Sequence, residues 1–373
     1  MEKQIKILVT GAKGFIGKNL IAELKNRGYC NIFEYDVDTS PQKLEEYTRE
    51  CNFVYHLAGV NRPENEEDFM KGNFGFTSVL LESLKKYNNK SPVLITSSIQ
   101  ADLDNAYGKS KKAGEDLMLS YAKQNDTEVF IYRLTNIFGK WCRPNYNSVI
   151  ATFCNNIANG LPVMVNNRET ELKLCYIDDL VEELINALEG KANRKGKFCE
   201  VAINHKATLG KIVELLYSFE KEAECLSVPE VSDEFIKKLH STYLTYLPEN
   251  KMKYSLNTHS DSKGSFTEIL RTHHCGQFSV NVSRPGVTKG NHWHQTKNEK
   301  FAVVSGNGVI RLRKINTDKI ISFKVSGDNI EVVNIPAGYT HNISNIGDTD
   351  MVTFMWCNEC YNSEKPDTYY EEV

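Results

Sequence analysis

Residues 5–26 constrain the first half of the chain more than any other stretch. Ile5 to Thr10 reads IKILVT, a short β-rich run. Gly11, Gly14 and Gly17 follow at once, and FIGKNLIAELKNRG then carries helical spacing. The order is strand, glycine turn, helix. Glycines let a backbone turn tightly and approach a pyrophosphate, whose charge a helix N-terminus favours. The spacing G-x2-G-x2-G departs from the usual G-x-G-x2-G, so the flanking strand and helix carry the argument. Next, NIFEYD ends at Asp36, and FVYHLAG (Phe53 to Gly59) reads as a buried strand ending in small residues. Helical spacing runs from about Asn73 to Tyr87, and VLIT then leads into Ser97 and Ser98. Strands alternating with helices predict a parallel, doubly wound α/β sheet.

Within that frame a cofactor site is expected from Gly11, Lys13, Gly14, Phe15, Ile16, Gly17, Asp36, Leu57, Ala58 and Gly59. An acid about 20 residues past the glycines accepts the adenosine 2′-hydroxyl and repels a 2′-phosphate, so Asp36 favours NADH. Lys13, inside the turn, favours NADPH, and the choice stays open. Tyr107 and Lys111, in YGKSK, fall at i and i+4 and share a helical face. A free phenol titrates near 10, and a neighbouring ammonium favours its phenolate. Lys111 is spaced to supply that ammonium and to hold the nicotinamide ribose. Ser98 ends a strand, where its hydroxyl can bond a substrate oxygen; Thr96 and Ser97 are the neighbouring alternatives.

The second half has a different rhythm. QFSVNVS, EKFAVVSG, GVIRLRKI, IISFKVS, IEVVNIP and DMVTFMW are short strands between glycine turns, which predicts a sandwich or barrel. In GVTKGNHWHQTKNEKFAVVSG, His292 and His294 stand at i and i+2, on one face of a strand. Glu299 follows, and PAGYTHNISN adds His341. Three imidazoles and a carboxylate suit zinc, manganese, iron or nickel. Polar, proline-marked LPENKMKYS separates the halves, giving an expected cofactor-binding domain over 1–247 and a metal-binding domain over 248–373.

The formal net charge of −3 offers no electrostatic footprint for nucleic acid. No apolar run approaches the roughly 20 residues that span a bilayer, and the start has no signal-peptide pattern, so a cytoplasmic protein without membrane partners is expected. Ten scattered cysteines read as reduced thiols. The lone CxxC of Cys357 and Cys360 reads as incidental. The ending PDTYYEEV reads as acidic and exposed.

In order along the chain, TGAKGFIG, HLAG, TSS, YGKSK, YRLTNIFG and YIDD resemble the extended short-chain dehydrogenase/reductase family. That resemblance implies a Rossmann-like fold in which Ser98 polarises an oxygen, Tyr107 moves a proton and Lys111 tunes it. It also implies that Arg133 and Asn136 lie toward a nucleotide sugar; a salt bridge to a nearby acid is the equal alternative for Arg133. The V-Y-G common in nucleotide-sugar members is absent at TSSIQA. The pattern G-x5-H-x-H-x4-E-x6-G, with Pro336, Gly338, His341 and Asn345 as P-x-G-x2-H-x3-N, resembles the two cupin motifs, although Ile330 replaces the leading glycine of the second. This implies an all-β jelly-roll barrel with a metal, above all zinc, held by His292, His294, Glu299 and His341. DSKGSFTEIL resembles the opening strand of the nucleotide-sugar epimerase branch of cupins, with Lys263 where arginine is usual.

Together the halves resemble a bifunctional family of bacterial capsular polysaccharide synthesis. The resemblance implies a UDP-linked 4-keto-6-deoxy sugar with a 2-acetamido group, epimerised by the barrel and then reduced with NADPH or NADH to a UDP-2-acetamido-2,6-dideoxy-L-talose. It also implies a homo-oligomer, a dimer or higher. Two alternatives stand beside it. One is a reductase or 4-epimerase whose barrel only pairs subunits; the other is a cofactor-sensing, sugar-binding regulator, which would not need Tyr107 and Lys111.

Overall fold

The computed structural model describes residues 4–272 and 275–373. The chain divides into two compact units, Met1–Leu216 with Lys238–Leu247, and Tyr217–Lys237 with Pro248–Val373. The segment Tyr217–Lys237, expected before the boundary, thus groups with the second unit. The tie is short. Ser227–Val228 runs parallel to Arg271 and Thr272, and the Arg271 N–H donates to the Leu226 carbonyl at 2.6 Å.

In the first unit, strands β1 (Ile7–Thr10), β2 (Ile32–Tyr35), β3 (Phe53–His56), β4 (Val93–Ser98) and β5 (Val129–Leu134) lie in the order β2-β1-β3-β4-β5. All four of these pairings are parallel. Phe198–Cys199 and Arg194–Lys195 extend the sheet, the last pair antiparallel. Side chains alternate across it. Ile7, Val9, Phe53 and Tyr55 pack with helix α1 (Phe15–Asn26) and with Leu180 and Leu184 of the helix Ile177–Leu188. Leu8, Val54, Val93 and Ile95 pack on the opposite face with Leu80, Leu84 and Met118. A sheet buried on both faces explains the near-continuous apolar strands. The strand order reverses between β1 and β3, and in open parallel sheets the ligand crevice lies outside the carboxyl ends at such a point.

The second unit holds two sheets. The larger runs Ser227–Val228, Gly264–Thr272, Gly276–Ser283, Met351–Cys357, Glu299–Ser305 and Val332–Ile335, with Thr258–Asp261 on its flank. The smaller runs Ile320–Ser326, Asn307–Lys314, Tyr339–Asn345, Thr288–Trp293 and Tyr369–Tyr370. Phe301, Val303, Ile310, Leu312, Val325, Ile335 and Ile343 fill the space between them. Each such side chain contributes about 1.5–3 kcal/mol on burial. Among the described residues no helix is long and apolar enough to cross a membrane.

Candidate functional site

The glycine turn is built by close approach. Gly11 has φ +70°, and a Cβ there would stand 2.7 Å from the Ala58 amide nitrogen. A Cβ on Gly17 would stand 2.2 Å from the Gly11 carbonyl oxygen. These contacts press Leu57–Ala58, the turn and the start of α1 together at the ends of β1 and β3. Gly14 caps α1 without a side-chain acceptor, so the helix opens on uncapped amides beside Phe15 and Ile16, the geometry that receives a phosphate. The Asp36 carboxylate accepts from the Lys13 N–H at 2.7 Å and the Val37 N–H at 2.8 Å, which fixes it at the turn. The Lys13 ammonium pairs with Asp38 on the surface.

Ser98 ends β4, and its hydroxyl accepts from the Gln100 N–H at 3.1 Å. The helix Ala106–Asn125 is capped by Asn105, whose side chain accepts from the Gly108 N–H at 2.7 Å. A Cβ at Gly108 would meet the Gln100 and Leu103 carbonyls at 2.4 and 2.5 Å, so only glycine lets the helix start this close to the end of β4. Tyr107 and Lys111 therefore face the same space. The Lys111 ammonium lies 5.9 Å from the Tyr107 ring centroid and donates to the Thr96 carbonyl at 3.3 Å. Burial pushes Lys111 down to about 8, with Glu115 opposing the shift. Burial also raises the Tyr107 phenol, and a hydrogen bond with Ser98 only partly offsets this. Nearness of the ammonium does not by itself bring the phenol down here.

Ser97 is occupied otherwise: its hydroxyl donates to Glu115 at 2.7 Å. Arg133 shows the ion-pair arrangement. Its Nε and one terminal nitrogen grip the buried Glu115 at 2.8 and 2.7 Å, and the other bonds Asp102 at 2.6 Å. Removing one partner of such a pair costs about 3–5 kcal/mol. The network ties β4, β5 and the turn after Ser98 to the helix carrying Tyr107. The exposed Asn136, which opens the strand Asn136–Phe138, donates its amide to the Lys173 carbonyl at 3.2 Å.

Two further residues, Asn73 and His56, shape this site. Asn73 lies in a wide π turn, Met70–Gly75, ahead of the helix Phe76–Lys86. Its amide donates to Ser110 at 2.9 Å and to the Val60 carbonyl at 3.1 Å, joining the loop after β3 to the Tyr107 helix. A Cβ on Gly59 would stand 2.9 Å from Asn73 Oδ1 and 3.0 Å from Lys111 Nζ, which explains the small residue there. His56 is buried between the Thr10 and Thr77 hydroxyls, each at 2.8 Å, and burial pushes it down to about 3.

In the second unit, Gly290 (φ +103°) and Asn291 (φ +58°) bulge the strand Thr288–Trp293 so that His292 faces His341 across the ladder. His294 follows the strand, and Glu299 opens a strand of the other sheet. One potential ligand atom from each of the four lies within 4.8 Å of the rest. Glu299 Oε2 is 3.1 Å from His341 Nε2 and 3.4 Å from His294 Nε2. Glu299 Oε2 and His294 Nε2 are buried without an aligned hydrogen bond, as atoms facing an ion would be. Burial and the two neighbouring imidazoles push His292 down to about 4, leaving it neutral at pH 7. Burial opposes ionisation of Glu299, but His294 and His341 reverse this and bring it to about 2. The neutral imidazole of His292 and the ionised carboxylate of Glu299 are forms that ligate a divalent metal. At His294 burial opposes the proton, but Glu299 and the Asp367 carbonyl outweigh it, so the residues fit an ion that displaces that proton on binding.

Residues 7–202 match the NAD dependent epimerase/dehydratase family, and residues 259–369 match the Polysaccharide biosynthesis C-terminal domain. The chain is 41% identical over 365 residues to UDP-2-acetamido-2,6-beta-L-arabino-hexul-4-ose reductase of Pseudomonas aeruginosa, covering 98% of both chains. It is 51% identical to the crystal structure of the capsular polysaccharide assembling protein CapF from Staphylococcus aureus, with TM-score 0.94, covering 99% of this chain and 100% of that one. A CapF structure with the inhibitor 3-isopropenyl-tropolone is 47% identical, with TM-score 0.89 and the same coverage. With this match over more than half its length, the chain belongs to the NAD dependent epimerase/dehydratase family.

Proposed function

We propose that the chain is a bifunctional nucleotide-sugar enzyme of capsular polysaccharide biosynthesis. Its substrate is a UDP-2-acetamido-2,6-dideoxy-4-hexulose; the second unit inverts the carbon next to the ketone and the first reduces the ketone to UDP-2-acetamido-2,6-dideoxy-L-talose. The observation that carries this reading is the presence, in one chain, of two separate constellations: Ser98, Tyr107 and Lys111 in one unit, and His292, His294, Glu299 and His341 in the other. Near full-length similarity to a named hexul-4-ose reductase supports the substrate class.

In the first unit Gly11, Gly14, Gly17 and Asp36 would hold NADPH or NADH, which would supply the hydride for the keto carbon. Tyr107 donates its phenolic proton to the carbonyl oxygen, so the ketone becomes an alcohol. The Ser98 hydroxyl hydrogen-bonds the same oxygen, and the Lys111 ammonium stabilises the phenolate left behind. Arg133 positions the helix through Glu115. In the second unit His292, His294, Glu299 and His341 hold a divalent metal, zinc in this reading. Such an ion supplies the Lewis acidity that makes the proton beside a ketone removable. A tropolone presents two adjacent oxygens, a chelating pair, and the inhibitor in the related CapF structure is a tropolone. This second domain is a cupin in our reading. Its larger sheet turns Phe278, Val332 and Phe354 outward, 36–59% exposed, which supports pairing with a second copy.

The test is consumption of each reduced nicotinamide with a UDP-linked 4-keto-6-deoxy amino sugar. Wild type should turn over, and Tyr107→Phe should lose about 10²–10⁴-fold in kcat, the weight of a positioned proton donor. Full activity of Tyr107→Phe would reject the assignment.

A further inference from the structure

The acidic tail contributes none of the four clustered ligands, yet it is wrapped around them. Asp367 has its backbone in the left-handed region, φ +43°. Its Oδ1 accepts from the Gln295 N–H at 3.0 Å. Its Oδ2 accepts from the Thr296 and Lys297 N–H groups at 3.0 and 3.1 Å and from the Thr296 hydroxyl at 3.1 Å. Those amides lie on the link between His294 and Glu299. The carbonyl oxygen of the same residue lies 2.5 Å from His294 Nδ1. A carbonyl only accepts, so Nδ1 carries a proton, and Nε2, on the Glu299 side, is the nitrogen left to ligate an ion.

The residues after Asp367 continue the wrap. Tyr369–Tyr370 pairs antiparallel with His292 and Trp293, and the Trp293 and Tyr369 rings lie 4.9 Å apart. The Thr340 hydroxyl, beside His341, donates to the Glu371 carbonyl. Arg313 holds the Glu371 carboxylate at 2.8 Å. The tail thus bonds at or next to each histidine and on the link leading to Glu299.

We infer that residues 366–372 form a latch on the histidine site, and that Asp367 is a positioning residue fixing His294 in the tautomer and orientation that bind a divalent metal. The inference rests on the metal reading proposed above. The Asp367 carboxylate clamps three consecutive amides, and this clamp sets the carbonyl that in turn sets the imidazole. Partners of this kind, one bond removed from the ion, raise ligand basicity and typically carry 10–100-fold in metal affinity.

The test titrates zinc against a chromophoric chelator in metal-stripped full-length protein, and records the cobalt absorption spectrum. Asp367→Ala should bind zinc 10–100-fold more weakly and shift the cobalt bands. Asp367→Asn, which keeps one acceptor oxygen, should fall between. Circular dichroism checks that the β domain is folded; if Asp367→Ala is not, Asp367→Asn carries the comparison. Wild-type zinc affinity and an unchanged cobalt spectrum in the folded variants, with binding lost in His292→Ala, would overturn the latch alone. Wild type that takes up neither zinc nor cobalt would overturn the metal reading and the latch with it.

Discussion

Lys111 is the residue whose environment makes the sharpest demand. Its side chain is half-buried, its amine donates to one carbonyl, and it faces Glu115 from its own helix and His56 from β3. Burial brings it to about 8 from an ordinary 10.5. The sign follows directly. Between these values the unfolded chain binds a proton that the folded chain has released, so the group costs stability below pH 8 and the cost fades as pH rises toward 10.5. In the mechanism proposed above, activity moves the other way, because the ammonium is its working form. The Tyr107 phenol, raised by burial, stays protonated across the same range. We therefore expect kcat/KM for the reduced nicotinamide, which reports the free enzyme, to break downward near pH 8 and fall tenfold per unit beyond it. A flat profile from pH 7 to 9.5 would contradict the assignment of the cation. The i, i+4 spacing announces the pairing of Tyr107 with Lys111, but it cannot show that burial outweighs the ammonium's pull on the phenol. That balance depends on how deeply the phenol is buried and on Ser98, which only the fold brings together.

At the scale of elements, the turn between β1 and α1 is the tightest joint. Gly14 and Gly17 look alike in the sequence and differ in three dimensions. A Cβ at Gly17 collides with backbone at 2.2 Å, whereas one at Gly14 meets only the Gly11 carbonyl oxygen at 3.1 Å. Gly17→Ala should cost about 1–3 kcal/mol of overpacking strain and weaken NADH binding at least tenfold. Gly14→Ala should do less of both. Thermal melts and a fluorescence titration decide it, and equal behaviour of the two variants would contradict the account. The strands β1 to β4, α1 and the helix Phe76–Lys86 were legible because each is marked by period and by a glycine or polar stop. The π turn at Met70–Gly75 was not, since Asn73 earns its place through partners at Val60 and Ser110. The Ser227–Val228 strand escaped notice for a related reason: a two-residue ladder leaves no periodicity to read.

At the scale of the molecule, two units with different candidate sites share one chain. The histidine cluster was legible because metal ligands demand particular side chains at particular spacings. The tail that encloses it was not, because an acidic, tyrosine-rich ending reads as solvated; its contribution comes from a carbonyl oxygen and a carboxylate that bond backbone amides. The same division explains the substrate side. Arg133 matched a motif, and its guanidinium pairs with Glu115 and Asp102, a contact that no spacing in the sequence announces. The central claim is that enolisation and reduction are carried by separate sites. Deuterium uptake from heavy water at the carbon beside the ketone, followed by NMR in the Tyr107→Phe variant, tests it most directly. The account predicts uptake at the wild-type rate with reduction abolished; uptake lost together with reduction would contradict it.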